Sequence, residues 1–414
     1  METHPLTVAP DSKQSLWSNA LERVSERTLR QRLLWGVVIA SFALRLSVAG
    51  LSEGTNDIRH WQHYAGYIAL NGLPDIYRNV PFFNHPPLMG LLSVACLEAS
   101  TLFGIPFSFV FKLPVIASEV LTTALLWSIW RKSGGLAAAK IIALFATNLV
   151  SILLSAYHGN TDCLCAMLCL ASAYALSQKS WSWAGLALGA AINVKLVPVM
   201  LIPVFVLLLP SWKSAFRFTR SLALCALPFV PVALVAWPEF SKNVLGYNSM
   251  GFNWGVILIA HEAQRTLPKF TSWIHQDYVP LARYVILAFM FGIGALWRYK
   301  RRFDAFEAGA VALSVMLVLL PGFGIQYLAW PLPLLFATNP RRATSYGIVG
   351  GAFALLVYYL YSNGAERWYS AFSAAWFPSP SHLPGFLTWG MLLGFSVESF
   401  QRVLRLRASR FPHR

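Results

Sequence analysis

The residues best suited to chemistry lie in a polar stretch between two apolar runs, from Gly54 to Leu88. A carboxylate at the edge of an apolar protein can accept a proton from a hydroxyl group as a general base, and Asp57 is the sharpest candidate for that role. An equally good reading is that Asp57 only favours the dipole at the start of a helix. The acidic and histidine side chains of the stretch are Asp57, His60, His63, Asp75 and His85.

A second set of polar residues follows later apolar runs. His158, Asn160 and Asp162 lie together in HGNTD, where Asp162 either caps the next helix or contacts substrate or a divalent cation. Lys195 interrupts the apolar run 184–209, and a phosphate would suit its ammonium group. Because a lysine at mid-membrane is costly, we predict two short helices that meet at an outer tip near Lys195.

Two further polar positions complete the candidate set. His261 lies in a late polar segment, and Gln326 lies in a Gly- and Pro-rich tip. His85, before Pro86 and Pro87, either contacts substrate or is an ordinary loop residue. Arg45 and Glu119 lie within apolar runs, and we expect them to pair with each other or with loop residues in a structural role.

The composition is that of a polytopic membrane protein. Of the 414 residues, 56% are hydrophobic and only 12% are charged, whereas a soluble protein has about a quarter charged. The 33 Lys and Arg give a formal charge of +16, and they cluster in short loops between apolar runs, which is typical of cytoplasmic loops. We therefore predict an all-α membrane protein with about 12 transmembrane helices, and not a nucleic-acid-binding protein.

The basic clusters orient the chain. We predict a cytoplasmic segment over 1–32, a single transmembrane domain over 33–401 and a basic cytoplasmic tail over 402–414. Two long external loops are expected, 51–106 and 238–279. Within the first, Ile58, Trp61, Ala65 and Ile68 recur at helical spacing and predict an amphipathic helix on the membrane surface, capped by Thr55 and Asn56.

The run Leu88 to Phe103 is ambiguous, because it is short and contains Glu98. If it crossed the membrane, Arg131 and Lys132 would fall outside, so we predict a juxtamembrane or half-inserted helix. The following spans are predicted at Phe107–Trp130, Leu136–Ala156, Cys163–Leu176, Leu222–Trp237, Leu281–Trp297, Phe306–Leu320, Gln326–Thr338, Tyr346–Tyr361 and Leu383–Phe400.

Several classes of protein have no support in the sequence. It contains no P-loop, no GxSxG, no HExxH and no Cys/His metal set, and its five cysteines lie in or beside apolar runs without zinc or redox spacing. The sequence indicates no cofactor, a divalent cation is the alternative, and no metal ligands are assigned. The polar residues gather at one face, which favours an active site over a conduit.

The order of motifs resembles a known family. TNDIRHW, GLPDIY, NHPPL, KLP with a later Glu, GNTD, INVKLVPVMLIP and GIQYLAWPLP follow one another between about Leu33 and Leu335. This order resembles the GT-C superfamily of integral-membrane glycosyltransferases, in particular the branch of polyprenol-phosphate-mannose-dependent mannosyltransferases, glycosyltransferase family eighty-seven. The sequence departs from the pattern at Glu119, where the family would have Asp, and it lacks the adjacent double acid of metal-dependent members.

The resemblance implies roles for single residues. Asp57 matches the first-loop acid that activates the acceptor hydroxyl, Asp162 the second outer acid, and Lys195 a lysine near the lipid phosphate. Gln326 and Tyr327 match a late pair that lines the same cavity. Substrate contacts are then expected at His60, Asp75, His85, His158, Asn160, Asp162, Lys195, His261, Gln326 and Tyr327.

The resemblance also implies an activity. It is the inverting transfer of a hexose, with mannose favoured, from a polyprenyl-phosphate donor to a lipid, glycan or glycolipid acceptor of the cell envelope. The active site would face outward from the inner or plasma membrane, with both termini in the cytoplasm. The alternative is a transporter or flippase of a lipid-linked sugar, which would place polar residues through the membrane depth and often shows an inverted repeat.

Overall fold

The structure is a computed structural model that describes residues 12–246, 255–322, 324–361, 369–370 and 382–405. Nearly all of these residues are helical, and the one sheet in the described ranges is a parallel pair of two-residue strands. In it β1 (Gly54–Thr55) pairs with β2 (Tyr369–Ser370). The predicted all-α class is confirmed. Residues 1–11 of the predicted cytoplasmic segment and 406–414 of the predicted tail lie outside the described residues.

The first half of the chain forms ten helices within the described ranges. They are α1 (Ser12–Leu51), α2 (Asn56–Asn71), α3 (Leu73–Asn79), α4 (Pro87–Phe103), α5 (Phe107–Trp130), α6 (Gly135–Ala146), α7 (Leu149–Ile152), α8 (Asp162–Ser177), α9 (Trp181–Val194) and α10 (Leu201–Leu208). Short 3₁₀ turns occupy Arg131–Ser133 and Val197–Met200, and a π-helical turn occupies Leu153–His158.

The second half adds nine helices in the part of the chain that the structure describes. They are α11 (Trp212–Leu224), α12 (Phe229–Phe240), α13 (Val256–Glu262), α14 (Pro268–Trp273), α15 (Val279–Tyr299), α16 (Ala305–Leu319), α17 (Leu332–Thr338), α18 (Pro340–Tyr361) and α19 (His382–Arg405). Ser241–Leu245 and Ile274–Tyr278 are π-helical, and Ile325–Ala329 is a 3₁₀ turn.

Only some of these helices are long and apolar enough to cross a membrane. By length and composition three helices of the described chain qualify, Thr28–Leu51, Phe107–Ser133 and Pro268–Tyr299, and two bent pairs raise the number to five. Shorter apolar helices occur at Pro87–Phe103, Asp162–Ser177, Val197–Leu208 and Ala305–Leu319. These helices make the chain a multi-pass membrane protein, while the figure of about 12 spans stays a prediction.

The predicted helix of the first loop is present as α2. The Thr55 side chain caps it by accepting a hydrogen bond from the Asp57 backbone N–H, and Gly72 ends it with φ of 87°. The residues at helical spacing, Ile58, Trp61, Ala65 and Ile68, are all buried. They pack against the helical core. The apolar pattern therefore located the helix, while its place on the membrane surface stays a prediction. The helix holds Asp57 in its first turn.

The predicted break at Lys195 is also present. Helix α9 ends at Val194, Lys195 is extended with φ of −152° and ψ of 140°, and a 3₁₀ turn leads into α10. The extended residue frees the lysine side chain from the helical surface at the point where two short helices meet.

The structure adds detail to two parts of the sequence-based prediction. Helix α1 begins at Ser12, inside the segment 1–32, whose cytoplasmic location stays a prediction. The predicted span Leu222–Trp237 is interrupted, because α11 ends at Leu224 and α12 begins at Phe229 with a bend of 70° between the two helices. Pro228 lacks a backbone donor and disfavours helical geometry in the residue before it, which explains the break.

The run 88–103 forms α4, which is 17 residues long and begins at Pro87. Its residues Met89, Gly90, Ser93 and Cys96 are buried. A helix of this length is at the lower limit for crossing a bilayer without tilt. Its assignment as a juxtamembrane helix stays a prediction.

Arg45 and Glu119 are joined by a serine. The Arg45 guanidinium donates from Nη2 to Ser151 Oγ at 2.6 Å and from Nη1 to the Ala146 carbonyl at 2.7 Å, and Ser151 Oγ donates to Glu119 Oε2. Arg45 and Glu119 are both buried. Because an unpaired buried charge is expensive, this network fixes α1, α5 and α7 relative to one another.

Helices α9 and α11 cross at very short range. A Cβ atom added at Gly185 would lie 2.1 Å from the Phe218 backbone oxygen, too close for any side chain. Small residues allow such close approach of helix backbones in membrane proteins. This crossing supports the end of α9, from which Lys195 emerges.

We predict that Gly185→Ala destabilises the protein, because the added methyl group must push α11 away from α9. Overpacking of this kind costs about 1–3 kcal/mol, and a lower melting temperature in detergent would report it. Gly292→Ala in α15 is the matched control, because nothing lies within 4 Å of its added Cβ. Equal melting temperatures for the two variants would contradict the crossing.

Candidate active site

A cavity of about 400 Å³ opens beside the start of α2. One wall comes from the first loop, with Asp57, and another from the break after α9, with Lys195. Further walls come from α15 and from the segment around Gln326. The apolar lining is Leu196, Val197, Val199, Met200, Val244, Leu245, Val279, Ala282, Ile286, Met316 and Leu320.

Asp57 is held by one of its two carboxylate oxygens. Oδ2 accepts from the Asn160 side-chain amide at 2.5 Å and lies 3.1 Å from His158 Nε2. His158 is buried, whereas the Asp57 side chain is 32% exposed and lines the cavity. Among the described residues Oδ1 accepts no hydrogen bond, so this oxygen is available to a group that enters the cavity.

The partners of Asp57 decide its ionisation. Burial alone would raise the pKa of Asp57, but the His158 hydrogen bond and charge, the charge of Lys195 and the Asn160 amide outweigh it and lower the pKa to about 2. The carboxylate is therefore ionised at neutral pH and able to accept a proton.

The segment that carries His158 is shaped for close contact with α2. A π-helical turn ends at His158, and Gly159 follows in the left-handed region with φ of 76°. A Cβ at Gly159 would lie 2.3 Å from Ile58 Cγ1, so only glycine fits there. The Thr55 hydroxyl also donates to the His158 carbonyl at 2.8 Å. Together these contacts place His158 and Asn160 against the first turn of α2.

Asp162 and Lys195 form an ion pair at the second wall. Lys195 Nζ donates to Asp162 Oδ1 at 2.7 Å, and the Trp330 indole N–H donates to the same oxygen at 2.6 Å. The ammonium also lies 4.8 Å from the centre of the Tyr327 ring. Asp162 is buried, but Lys195 lines the cavity. Lysine has three N–H donors, and one is used here, so the others remain for a ligand.

His85 contributes a neutral imidazole to the cavity. Burial and the charge of Lys195 lower the pKa of His85 to about 3, against the opposing effect of Asp57. Its ring centre lies 4.3 Å from that of Trp61, and its backbone carbonyl accepts from the Tyr77 hydroxyl at 2.8 Å. At neutral pH His85 can both donate and accept a hydrogen bond.

The structure brings most of the candidate residues together. Asp57, His60, His85, Asn160, Lys195, Gln326 and Tyr327 line the cavity, and His158 and Asp162 lie directly behind Asp57 and Lys195. Two candidates lie elsewhere. Asp75 accepts from the Tyr67 hydroxyl at 2.6 Å and from Asn79 at 2.9 Å, and His261 is exposed on α13. Neither lines the cavity, and their predicted contact with substrate stays untested.

Sequence reasoning missed three residues of this site. Trp330 orients Asp162, Arg283 lines the cavity from α15, and the Tyr358 hydroxyl lies 2.7 Å from His158 Nδ1. Trp330 lies in the quoted GIQYLAWPLP and could have been found there. Arg283 and Tyr358 lie in long helices without a motif, so only the packing of distant segments reveals them.

The described parts of the chain contain no cluster of side chains that could ligate a metal ion. No group of three or more His, Cys, Asp or Glu side chains lies close enough together to hold an ion there. The two acids nearest the cavity are each bound to nitrogen donors, Asp57 to His158 and Asn160, and Asp162 to Lys195 and Trp330.

Comparisons with known proteins give a family. The model of glycosyltransferase family 87 matches residues 83–321. Among solved structures, the crystal structure of ArnT from Cupriavidus metallidurans bound to undecaprenyl phosphate is 15% identical, with a TM-score of 0.41. The match covers 91% of this chain and 77% of the ArnT chain. No curated protein matches the sequence.

We predict that Asp57→Asn changes how stability depends on pH. A carboxyl group with a lowered pKa in the folded state stabilises the fold above its unfolded-state pKa, and this stabilisation is lost as pH falls through the folded-state value. For Asp57 the window runs from about pH 4 to about pH 2 and is worth about 2 kcal/mol. Thermal unfolding in detergent should therefore show a shallower acid decline for Asp57→Asn than for the wild type.

The control for this titration is Glu98→Gln, which removes an exposed carboxylate of α4. Its decline should parallel that of the wild type. An Asp57→Asn profile that follows the wild type between pH 4 and pH 2 would contradict the assigned hydrogen bonds of Asp57.

Proposed function

The chain belongs to glycosyltransferase family 87, and on that basis we propose that it transfers a hexose, with mannose favoured, from a polyprenyl-phosphate donor to a hydroxyl group of a cell-envelope acceptor. The observation that carries this proposal is that Asp57, whose Oδ1 accepts no hydrogen bond from the described residues, and Lys195 line the same cavity. The family match favours this activity over transport of a lipid-linked sugar.

The lining of the cavity suits a lipid phosphate. Its long apolar wall offers a surface for an isoprenoid chain, as is usual for pockets that take apolar ligands. Two cations line the same space, Lys195 from the break after α9 and Arg283 from α15. Asp162 already neutralises much of the charge of Lys195, so we expect Arg283 to bind the phosphate group together with Lys195.

The reaction is a single displacement with inversion. Asp57 Oδ1 takes the proton of the acceptor hydroxyl while the acceptor oxygen forms a bond to the anomeric carbon. The bond between that carbon and the phosphate oxygen breaks, and the electron pair leaves with the polyprenyl phosphate. One bond forms, one breaks, and the proton remains on Asp57 until it passes to water.

The two walls of the cavity have different functions in the proposed reaction. The wall with Asp57 holds the acceptor hydroxyl and leaves the carboxylate ionised until the proton arrives. The wall with Lys195 meets the charge that develops on the leaving phosphate, and fixed donors aimed at developing charge are an effective source of rate enhancement. Gln326, Tyr327, His60 and neutral His85 remain to orient the sugar and the acceptor.

The proposed topology follows the basic clusters. About 12 spans would place both termini in the cytoplasm, with 33–401 as the transmembrane domain and the cavity open to the outer face. The loops 51–106 and 238–279 would then be external, and α11, with Lys213, Arg217 and Arg220, would lie at the cytoplasmic surface. The outer surface is where envelope acceptors are found.

We predict that Asp57→Asn abolishes sugar transfer, because the carboxamide cannot take the proton. Transfer in proteoliposomes, with a panel of radiolabelled polyprenyl-phosphate sugars and envelope acceptors, should fall by a factor of about 10²–10⁴. Asp277→Asn is the matched control, an exposed aspartate that does not line the cavity, and it should retain wild-type transfer.

Substantial turnover by Asp57→Asn would remove Asp57 as the base. If the wild type transferred sugar only from nucleotide donors, the polyprenyl-phosphate donor would be wrong while the family assignment remained.

We predict that a cysteine at Arg59 is labelled from outside intact cells by a membrane-impermeant maleimide, whereas one at Lys213 is not. The Arg59 side chain is 66% exposed, and Lys213 is exposed on α11. Labelling of the native cysteines should be low, since they are buried or half-buried. Labelling of Arg59→Cys only after permeabilisation would overturn the proposed orientation.

A further inference from the structure

Tyr358 lies behind the proposed base without touching the cavity. It is on α18, 4% exposed, and its hydroxyl lies 2.7 Å from His158 Nδ1. Its ring packs against those of Tyr157 and His158, with centres 5.0 and 5.7 Å apart. Asp57, His158 and Tyr358 thus form a chain of hydrogen bonds that runs from the cavity into the helical core.

The chemistry of imidazole gives this chain a direction. A neutral imidazole has one nitrogen that donates and one that accepts. The ionised Asp57 Oδ2 accepts only, so His158 Nε2 must carry the proton on that side. Nδ1 is then an acceptor for the Tyr358 O–H. If His158 is charged instead, Nδ1–H donates to the Tyr358 oxygen, and Nε2–H still faces Asp57.

We propose that Tyr358 is a positioning residue of the transfer reaction, which acts through His158 to keep the Nε2–H on Asp57 Oδ2. The inference rests on the proposed function, because it assigns Asp57 as the base. Tyr358 does not touch the substrate. Its hydroxyl is suited to the role because it can donate or accept, and so it pairs with Nδ1 in either charge state of the imidazole.

The orientation of His158 determines the orientation of the Asp57 carboxylate. With Oδ2 held by His158 and Asn160, the plane of the carboxylate is fixed and Oδ1 is the oxygen left for the acceptor hydroxyl. Without the Tyr358 hydroxyl, the hydrogen bond that fixes the Nδ1 edge of the imidazole is lost, and the ring can turn. A turned ring takes Nε2–H away from Oδ2, so this oxygen keeps only the Asn160 amide. The base would remain present but lose its orientation.

A double-mutant cycle tests whether Tyr358 acts through His158. Tyr358→Phe keeps the ring and removes the hydroxyl, and we expect kcat to fall about tenfold with KM for the donor unchanged. His158→Leu should lower kcat further, and adding Tyr358→Phe to it should cause no additional loss. Non-additivity of this kind marks residues that work through a shared contact. If the two losses multiply in the double variant, the proposal is wrong.

Tyr346→Phe is the matched control. Tyr346 is a buried tyrosine of the same helix whose hydroxyl donates to the Leu328 carbonyl at 3.0 Å, away from His158. It should leave kcat within twofold of the wild type. A tenfold loss in Tyr346→Phe as well would show that removing any buried hydroxyl from α18 slows the enzyme, and the special role of Tyr358 would be refuted.

A spectroscopic measurement separates this proposal from the proposed function. In ¹⁵N-histidine-labelled protein, signals absent from His158→Leu identify His158 among the nine histidines. We expect a hydrogen-bonded Nε2–H in the wild type, and in Tyr358→Phe an Nε2 signal shifted by the weakening of that hydrogen bond. Wild-type protein protonated only on Nδ1, or an unchanged Tyr358→Phe spectrum, would overturn the role of Tyr358. Full activity in Asp57→Asn would instead refute the proposed base.

Discussion

The site depends on two hydrogen bonds to one oxygen of Asp57. His158 and Asn160 both contact Oδ2, and they come from a chain segment a hundred residues away from the first loop. Burial would otherwise raise the pKa of this carboxyl group, so the two contacts hold it in place and, together with the charge of Lys195, keep it charged. They require the π-helical turn before His158 and the glycine after it, because any side chain at position 159 would collide with Ile58. The contacts of the segment 158–160 with the first turn of α2 therefore orient the Asp57 carboxylate, help to keep it ionised and hold the first loop at the cavity.

Buried charged side chains hold the helices around the site together. Lys112 is buried, and its ammonium donates to the Ser52 carbonyl at 2.7 Å and to the Ser52 hydroxyl at 3.1 Å, next to the end of α1. Helices end with unsatisfied carbonyl groups, and a lysine from α5 supplies donors for them here. Arg45 is paired in a similar way through Ser151 with Glu119. Buried charges are costly unless they are paired or hydrogen-bonded, and these contacts hold the end of α1 against α5.

The sequence predicts those parts of the structure that depend on local residue patterns. The apolar spacing of Ile58, Trp61 and Ile68 located α2, and the cost of a buried lysine located the break at Lys195. Most of the predicted acids and histidines line the cavity or lie directly behind it, because polar residues in an apolar chain are few, and their roles stay predictions. Tyr358 and Arg283 were missed because they lie on regular helices and reach the site only through tertiary packing. Asp75 lies in the same predicted loop as Asp57, yet α3 places its carboxylate against the Tyr67 hydroxyl, which no local pattern predicts.

The central claim is that sugar transfer takes place between Asp57 and Lys195. A cryo-electron microscopy structure of the Asp57→Asn variant with an intact polyprenyl-phosphate sugar tests it most directly, since the variant should bind the donor without consuming it. We expect the phosphate beside Lys195 and Arg283, the isoprenoid chain along the apolar wall of the cavity, and the anomeric carbon between the phosphate and residue 57. Donor density outside this cavity, or a sugar whose anomeric carbon faces away from residue 57, would contradict the account.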